Sequence, residues 1–316
     1  MMKSIKLSLE GAPQDYKTSL VPLIIEQLGY SISWVKPSAA DLRIIGPFYK
    51  VTKPYKLIPK PLRPIFSSAN ELFNSKQSRS HSPTLFHTQE NIRHNTFPCD
   101  FSISFDLGVS AKNHFRLPYW MEMIDWSHEG LIGNTNPRYG SLLSLSRLMQ
   151  PLGSSFKERL NKIVLITSHL NEPRKLLYEH LQKHILIDGF GPFFDKSIRN
   201  HHTSSFNKYD VLQRYAFNLC PENSLYPGYI TEKIPEAFFA GCIPLTWVDP
   251  NIGCDFNPRA IINLMPMVQE GFETFLEMLR TPESLDQYSG ESLITRLPSI
   301  EPCKTFLKEI MKQVSS

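Results

Sequence analysis

At 316 residues, 41% apolar and 20% charged, the chain has the make-up of a globular protein with room for about two domains of ~100–200 residues each. Its formal charge of +4, from 34 Lys and Arg against 30 Asp and Glu, lacks the block-like positive excess of a nucleic-acid-coating protein and suits an anionic small molecule better. Five cysteines without a C-x-x-C pair argue against a zinc ribbon or a disulfide scaffold and for buried reduced thiols. The N-terminal MMKSIKLSLEGAP lacks the ~7–15 apolar residues of a signal peptide, and no run of ~18 could span a bilayer. The expectation is a cytoplasmic, soluble protein, with peripheral membrane contact left open.

The first half opens on an alternating strand, Lys6 to Glu10, followed by a helix-period stretch from Tyr16 to Leu28 that Gly29 closes. Strand-like runs follow at Ser31 to Val35 and Asp41 to Phe48. The prolines of Lys53 to Arg63 forbid regular structure there, because each removes a donor and restricts its neighbour. Further strands are expected at Pro83 to Gln89 and Phe101 to Asp106, flanking an irregular polar loop from Glu90 to Pro98.

The second half restarts at Lys162 to Ser168, a continuous apolar strand of the kind buried on both faces of a parallel sheet. A helix from about Glu172 to His184 and a strand at ILIDGFG complete a parallel crossover. Tyr215 to Cys220, Pro244 to Val248 and Ala260 to Leu264 read as strands, and YPGYITEKIPEAFFAGCIPL as loop plus helix. The economical architecture is two α/β lobes: residues 1–155, residues 156–300, and a closing helix in 301–316.

Ligands of such lobes sit outside the carboxyl ends of the strands, where helix N-termini offer unpaired N–H groups. Arg174 falls in a first helical turn there, and so does Lys233 if Thr231 caps the helix and Glu232 opens it. A cation opposes the helix dipole by ~0.3–1 kcal/mol but matches a diphosphate bound at the same N–H groups. Taken singly, each is more often a solvated surface charge; two, each after a strand of one lobe, favour an anion. Neither a G-x-G-x-x-G nor a P-loop pattern occurs, so side chains would hold the nucleotide diphosphate.

The stretch YAFNLCPENSLYPGYITEKIPEAFFAGCIPLTW resembles the donor-binding signature of the α-1,3/α-1,4-fucosyltransferases, glycosyltransferase family 10: F-x-x-x-x-E-N-S, Y-[IV]-T-E-K, then A-x-x-[AG]-G-x-[IV]-P. SHLNEPRKLLYEHL, HTQENIRHNTFPCDFSISFD and HFRLPYW are similar to further segments of the bacterial members, so the resemblance spans roughly residues 83 to 265. It implies a GT-B arrangement of two Rossmann-like lobes facing across a cleft, and inverting transfer of L-fucose from GDP-fucose to a hydroxyl of a glycan acceptor. Residue by residue, Glu90 matches the catalytic base, Arg174 and Lys233 the diphosphate contacts and Glu232 a contact to a donor hydroxyl, with Asn223 and Tyr229 in the donor loop. Gln89 departs from the Gly often found before the base.

Inverting displacement needs a carboxylate to take the acceptor proton and positive groups to hold the leaving diphosphate. No D-x-D cluster stands near the donor segments, so neither a tightly bound cofactor nor a divalent metal is expected. Near the R-L-P segment, Arg116, Tyr119, Trp120 and Trp126 are acceptor-side candidates, since aromatic faces cover sugars; ordinary core aromatics are the competing reading. His180 and His184 have a metal-ligand spacing without an H-E-x-x-H pattern, and His201 and His202 read as solvated. The terminal KTFLKEIMKQV puts Phe306, Leu307, Ile310, Met311 and Val314 on one face and is expected to pack on the protein itself. Two rivals remain: a transferase of the same fold using another nucleotide sugar, and a sugar- or nucleotide-binding protein without catalysis.

Overall fold

The computed structural model describes residues 2–50, 82–197 and 207–315. The expected loop Lys53 to Arg63 and the pair His201 and His202 lie outside the described residues.

Two wholly parallel sheets organise the chain. The first contains β1 (Lys3–Glu10), β2 (Tyr30–Trp34), β3 (Leu42–Ile45), β4 (Thr84–His87), β5 (Phe101–Ser104) and β6 (His114–Arg116), in the order β2-β1-β3-β4-β5-β6. The second contains β7 (Leu160–Ile166), β8 (Ile187–Phe190), β9 (Tyr215–Leu219), β10 (Ile243–Thr246) and β11 (Ile262–Asn263), in the order β11-β10-β9-β7-β8. Each strand expected from an apolar run is present with displaced ends, and β6 is an addition. Ile163, Val164, Leu165, Phe217 and Leu219 are buried, as continuous apolar strands between two layers require.

Helix starts differ from the sequence reading, for one physical reason. The expected Tyr16 to Leu28 helix is a 3-10 turn, Gln14–Thr18, an extended Ser19, and an α-helix only from Leu20 to Gln27. Pro22 lacks an N–H and fits only the first turn of a helix, which fixes the start beside it. Pro235 does the same in the second lobe: the helix is Lys233–Phe239, Glu232 stands at its cap position, and the Thr231 side chain caps nothing. The Arg174 helix, Arg174–Leu181, likewise begins after Pro173, later than expected.

The last helix, Glu301–Val314, packs back on the first lobe. Phe306 stacks on Phe115 with ring centroids 5.5 Å apart, and Leu307, Ile310 and Met311 are buried. Among the described residues, no helix is long and apolar enough to cross a membrane.

Candidate active site

Strand order reverses between β7 and β9 in the second sheet, and the crevice outside their carboxyl ends is where such a fold places a ligand. Arg174 reaches into it, its guanidinium donating to Thr167 Oγ1 (3.0 Å), the His169 carbonyl (2.8 Å) and Asn223 Oδ1 (3.2 Å). The strand β9 leads through Cys220 to Glu222, which is 0% exposed. Its carboxylate accepts from the Thr231 backbone N–H (2.7 Å), the Thr231 hydroxyl and Lys233 Nζ (2.8 Å). Thr231 therefore serves the buried carboxylate instead of the helix end. Lys233 also donates to Thr231 Oγ1 (2.7 Å), which leaves one of its three N–H groups for a ligand.

A second buried pair lies alongside. Glu236 accepts from Lys208 Nζ and from Asn136 Nδ2 (2.8 Å), and Tyr139 donates to the Glu236 carbonyl (3.1 Å). Burial opposes the charges on Lys233 and Lys208, yet Glu222 for the first and Glu236 for the second more than offset it, so both pKa values rise. Burial also opposes charge on Glu232, but Lys233 and Lys208 hold its pKa below the usual carboxylate range. Around this crevice the four cations Arg138, Arg174, Lys208 and Lys233 outnumber the three carboxylates Glu222, Glu232 and Glu236, and Lys208 and Lys233 are ion-paired before a ligand arrives. Ile166, Arg174, Lys208, Asn218, Glu232 and Lys233 line a cavity of about 80 Å³ at its floor. Ligand pockets for nucleotide-sized molecules run to ~300–1,000 Å³, so the floor accommodates one group of a larger ligand.

The first lobe presents the carboxyl ends of β4, β5 and β6 to this crevice. Glu90 follows β4 by three residues in an exposed bend, where Thr88 Oγ1 accepts from its N–H (3.0 Å) and donates to its carbonyl (2.9 Å). Its carboxylate takes part in no hydrogen bond among the described residues. Tyr229 of the second lobe lies close enough for the Glu90 charge to add to burial and Glu222 in raising the phenol's pKa. Gln89, beside it, donates to Glu122 Oε2 (2.8 Å).

Several contacts bind the lobes at this point. Asn91 donates to Ser224 Oγ, and Arg93 lies over the rings of Tyr226 and Phe105. Arg116 makes a two-pronged pair with Asp255, 3.0 and 2.6 Å, and donates to the carbonyls of Phe105 (3.0 Å) and Gly228 (3.4 Å). Gly228 has φ +84°, and a Cβ there would stand 2.5 Å from the Phe105 carbonyl oxygen, so only glycine lets this loop approach the first lobe so closely.

The acceptor-side expectations need correction. Arg116 is consumed by Asp255 and is a lobe-to-lobe tie; Trp120, 3% exposed, donates from Nε1 to the same carboxylate (3.1 Å). Trp126, 1% exposed, belongs to the core with Nε1 on the Met121 carbonyl (2.8 Å). A tryptophan so enclosed has no face to offer a sugar. Tyr119 alone is half-buried, and burial together with Glu232 and Glu122 raises its pKa well above the ordinary value.

The sequence reading passed over Glu222, Lys208, Arg138 and Asp255. Glu222 had a signal in the E-N-S motif; a carboxylate among apolar strand ends needs a cation. The others are joined to their partners only by tertiary structure. Among the described residues, no group of three or more His, Cys, Asp or Glu is arranged to hold a metal ion. His180 and His184 face each other at 5.6 Å, and His180 stacks on Phe272.

Residues 156–280 match the model of the "Glycosyltransferase family 10 (fucosyltransferase) C-term" domain, the segment that carries the charged crevice. Over that segment the chain is similar to glycosyltransferase family 10. It is similar to the alpha-(1,3)-fucosyltransferase FucT of Helicobacter pylori, 28% identical over 207 residues, which cover 59% of this chain and 42% of that protein. It is also similar to GDP-fucose protein O-fucosyltransferase 3 of Danio rerio, 25% identical over 70% of this chain and 50% of that protein. The chain thus matches about half or less of the length of these curated relatives. A crystal structure of an alpha1,3-fucosyltransferase with GDP-fucose superposes with a TM-score of 0.66 at 22% identity, over 98% of this chain and 91% of that one. At that identity the likeness speaks for the fold, and the two parallel sheets of this chain have the GT-B architecture.

Proposed function

We propose that the chain transfers L-fucose from GDP-fucose to a hydroxyl of a glycan acceptor, inverting the anomeric centre, with an α-1,3 linkage to a GlcNAc- or Glc-containing acceptor. The observation that carries this reading is the crevice at the β7/β9 reversal: Arg174, Lys208 and Lys233 converge on one floor, and an unpaired carboxylate, Glu90, stands on the opposite lobe.

Glu90 takes the proton of the acceptor hydroxyl as its oxygen attacks the anomeric carbon. The bond from that carbon to the diphosphate breaks, and the negative charge that collects on GDP is met by Arg174 and the free N–H of Lys233. Glu232, kept ionised by its lysine neighbours, accepts from a hydroxyl of the fucose or the ribose. Asn223, which already orients Arg174, borders the donor, while Tyr229, 3% exposed and edge-on to Phe105, shapes the loop from beneath instead of touching the donor with its ring. The side-chain cations supply the charge compensation, so a divalent metal is not required. The same reading puts the donor in the second lobe and the acceptor against the first.

Two measurements test this. In a thermal-shift panel of sugar nucleotides, GDP-fucose at ~100 times its dissociation constant adds ~2.7 kcal/mol of stability. Preferential stabilisation by a different sugar nucleotide overturns the donor assignment. GDP release is then followed with N-acetyllactosamine, its β-1,3 isomer and lactose. Binding of GDP-fucose without acceptor-dependent release from any glycan makes the chain a binding protein.

A further inference from the structure

Glu122 is a carboxylate at 2% exposure that neither the donor crevice nor the acceptor proton transfer uses. It stands in the 3-10 turn Tyr119–Met123, and three side chains approach it in a row. Gln89 Nε2 donates to Oε2 at 2.8 Å, and His87 Nε2 lies 3.3 Å from Oε1. On the far side of the imidazole, Nδ1 is 2.8 Å from the Tyr16 hydroxyl. Burial first, and Glu122 second, raise the Tyr16 pKa, so its hydroxyl keeps its proton. The carboxylate beside Nε2 favours the tautomer with the imidazole proton there, in which Nδ1 accepts from the Tyr16 hydroxyl. The contact from His87 to Oε1 is too poorly aligned to count as a hydrogen bond, which leaves Gln89 as the well-formed side-chain donor to a buried carboxylate. Such a bond is expensive to lose, because the acceptor would be left without water or partner.

We infer that the buried Tyr16, His87 and Glu122, together with the partly exposed Gln89, form a positioning chain that fixes the loop carrying Glu90. This rests on the reading of Glu90 as the base. Gln89 is the residue before Glu90, and the Thr88 hydroxyl closes the bend on the other side of the same residue. The Glu90 backbone is held from two directions while its carboxylate stays open to the cleft. The anchor also sets the carboxylate relative to the donor, because the turn that bears Glu122 bears Trp120, which bonds Asp255 of the second lobe. A side chain thus does at Gln89 what backbone freedom cannot: it locks the register between the base and the opposite lobe.

The inference predicts a loss in rate without a loss in donor affinity. In Gln89→Leu, kcat falls ~10-fold or more, the cost of a slightly misplaced group, while the GDP dissociation constant stays within about 2-fold. Glu122→Leu gives the same pattern. Glu122→Gln retains an acceptor for the Gln89 amide and keeps kcat within a few-fold of the unmodified protein. The double variant Gln89→Leu/Glu122→Leu is no slower than the slower single one, since both break one chain. Should Glu122→Leu fail to fold, Gln89→Leu, on a half-exposed side chain, decides alone. Losses that multiply, a matching loss of GDP affinity, or a Gln89→Leu enzyme with unmodified kcat overturn the chain. Glu90→Ala in parallel separates the failures: if it turns over normally the base assignment falls, whereas a crippled Glu90→Ala beside a normal Gln89→Leu removes only the positioning chain.

Discussion

The two walls of the cleft are built on opposite plans. On the second lobe, charges are buried and paired in advance: Lys233 with Glu222, Lys208 with Glu236, Arg174 with Thr167 and Asn223. On the first lobe, the group facing them, Glu90, is exposed and unpaired among the described residues, and the order lies beneath it in the bond from Gln89 to buried Glu122 and from Thr88 to the Glu90 backbone. Charge that must stabilise a leaving group gains from being fixed beforehand, because no dipoles need to turn during reaction. A base must instead keep its lone pairs available for a proton. The difference predicts that damage to the paired charges of the second wall costs stability and binding together, and that removal of Glu90 costs rate alone.

The largest expected effect is on the first wall. Glu90→Ala should lower kcat by ~100- to 10,000-fold, the usual worth of a positioned base, with GDP affinity and melting temperature unchanged. A parallel loss of GDP affinity would show that Glu90 belongs to the donor wall and erase the contrast. Next comes Lys233→Met, which strips the partner from the fully buried Glu222. Breaking a buried pair costs ~3–5 kcal/mol, and the partial exposure of Lys233 places the expected loss at the lower end, read by chemical denaturation. GDP should bind ~10-fold more weakly, about 1.4 kcal/mol. Adding Glu222→Gln should recover much of the stability and none of the affinity. A Lys233→Met protein that binds GDP normally removes the diphosphate role.

Strands were legible because a continuous apolar run such as Ile163 to Ile166 has few other ways to be buried. Helix starts were legible too, through a signal that was passed over: Pro22 and Pro235 each sit where only a first turn admits them. Arg174, Lys233 and Glu232 fall together because the motifs that carry them follow adjacent strands. The partners are another matter. Arg116 and Asp255 are 139 residues apart, and Gln89 and Glu122 are 33 apart, with no local pattern to announce either pair. Trp120 and Trp126 were misplaced for the same reason, since burial is decided by elements that pack from elsewhere in the chain.

The Arg116 tie offers a smaller test that joins the walls. Arg116→Gln removes a two-pronged pair to Asp255, whose side chain is 4% exposed, and should cost ~2 kcal/mol while raising the donor KM more than it lowers kcat. Gly228→Ala should act alike through ~1–3 kcal/mol of backbone strain and its clash with the Phe105 carbonyl. If either variant lowers kcat at constant KM, the tie serves the base wall instead of the donor loop.

The smallest effect expected is a pH dependence seated under the first wall. His114, on β6, donates or accepts at Ser102 Oγ (2.9 Å) and packs against His94, with ring centroids 4.9 Å apart; His94 in turn faces Asp106 at 3.5 Å. Burial, and next the neighbouring His94, lower the His114 pKa to about 4, with Asp106 only partly opposing them. Because the folded pKa lies below the unfolded value of about 6.5, the unfolded chain binds more protons between the two, and stability rises with pH across that window. The contribution is complete above pH 6.5 and disappears as the pH falls through about 4. Each tenfold weakening of proton binding is worth ~1.4 kcal/mol at most, and because His114 is only half-buried, solvent screening reduces the total to ~1–2 kcal/mol. Denaturation midpoints of the unmodified protein and of His114→Gln, compared from pH 4 to 7, should therefore converge at the acidic end and separate above pH 6.5. Parallel curves would assign the acid sensitivity of this loop to other groups.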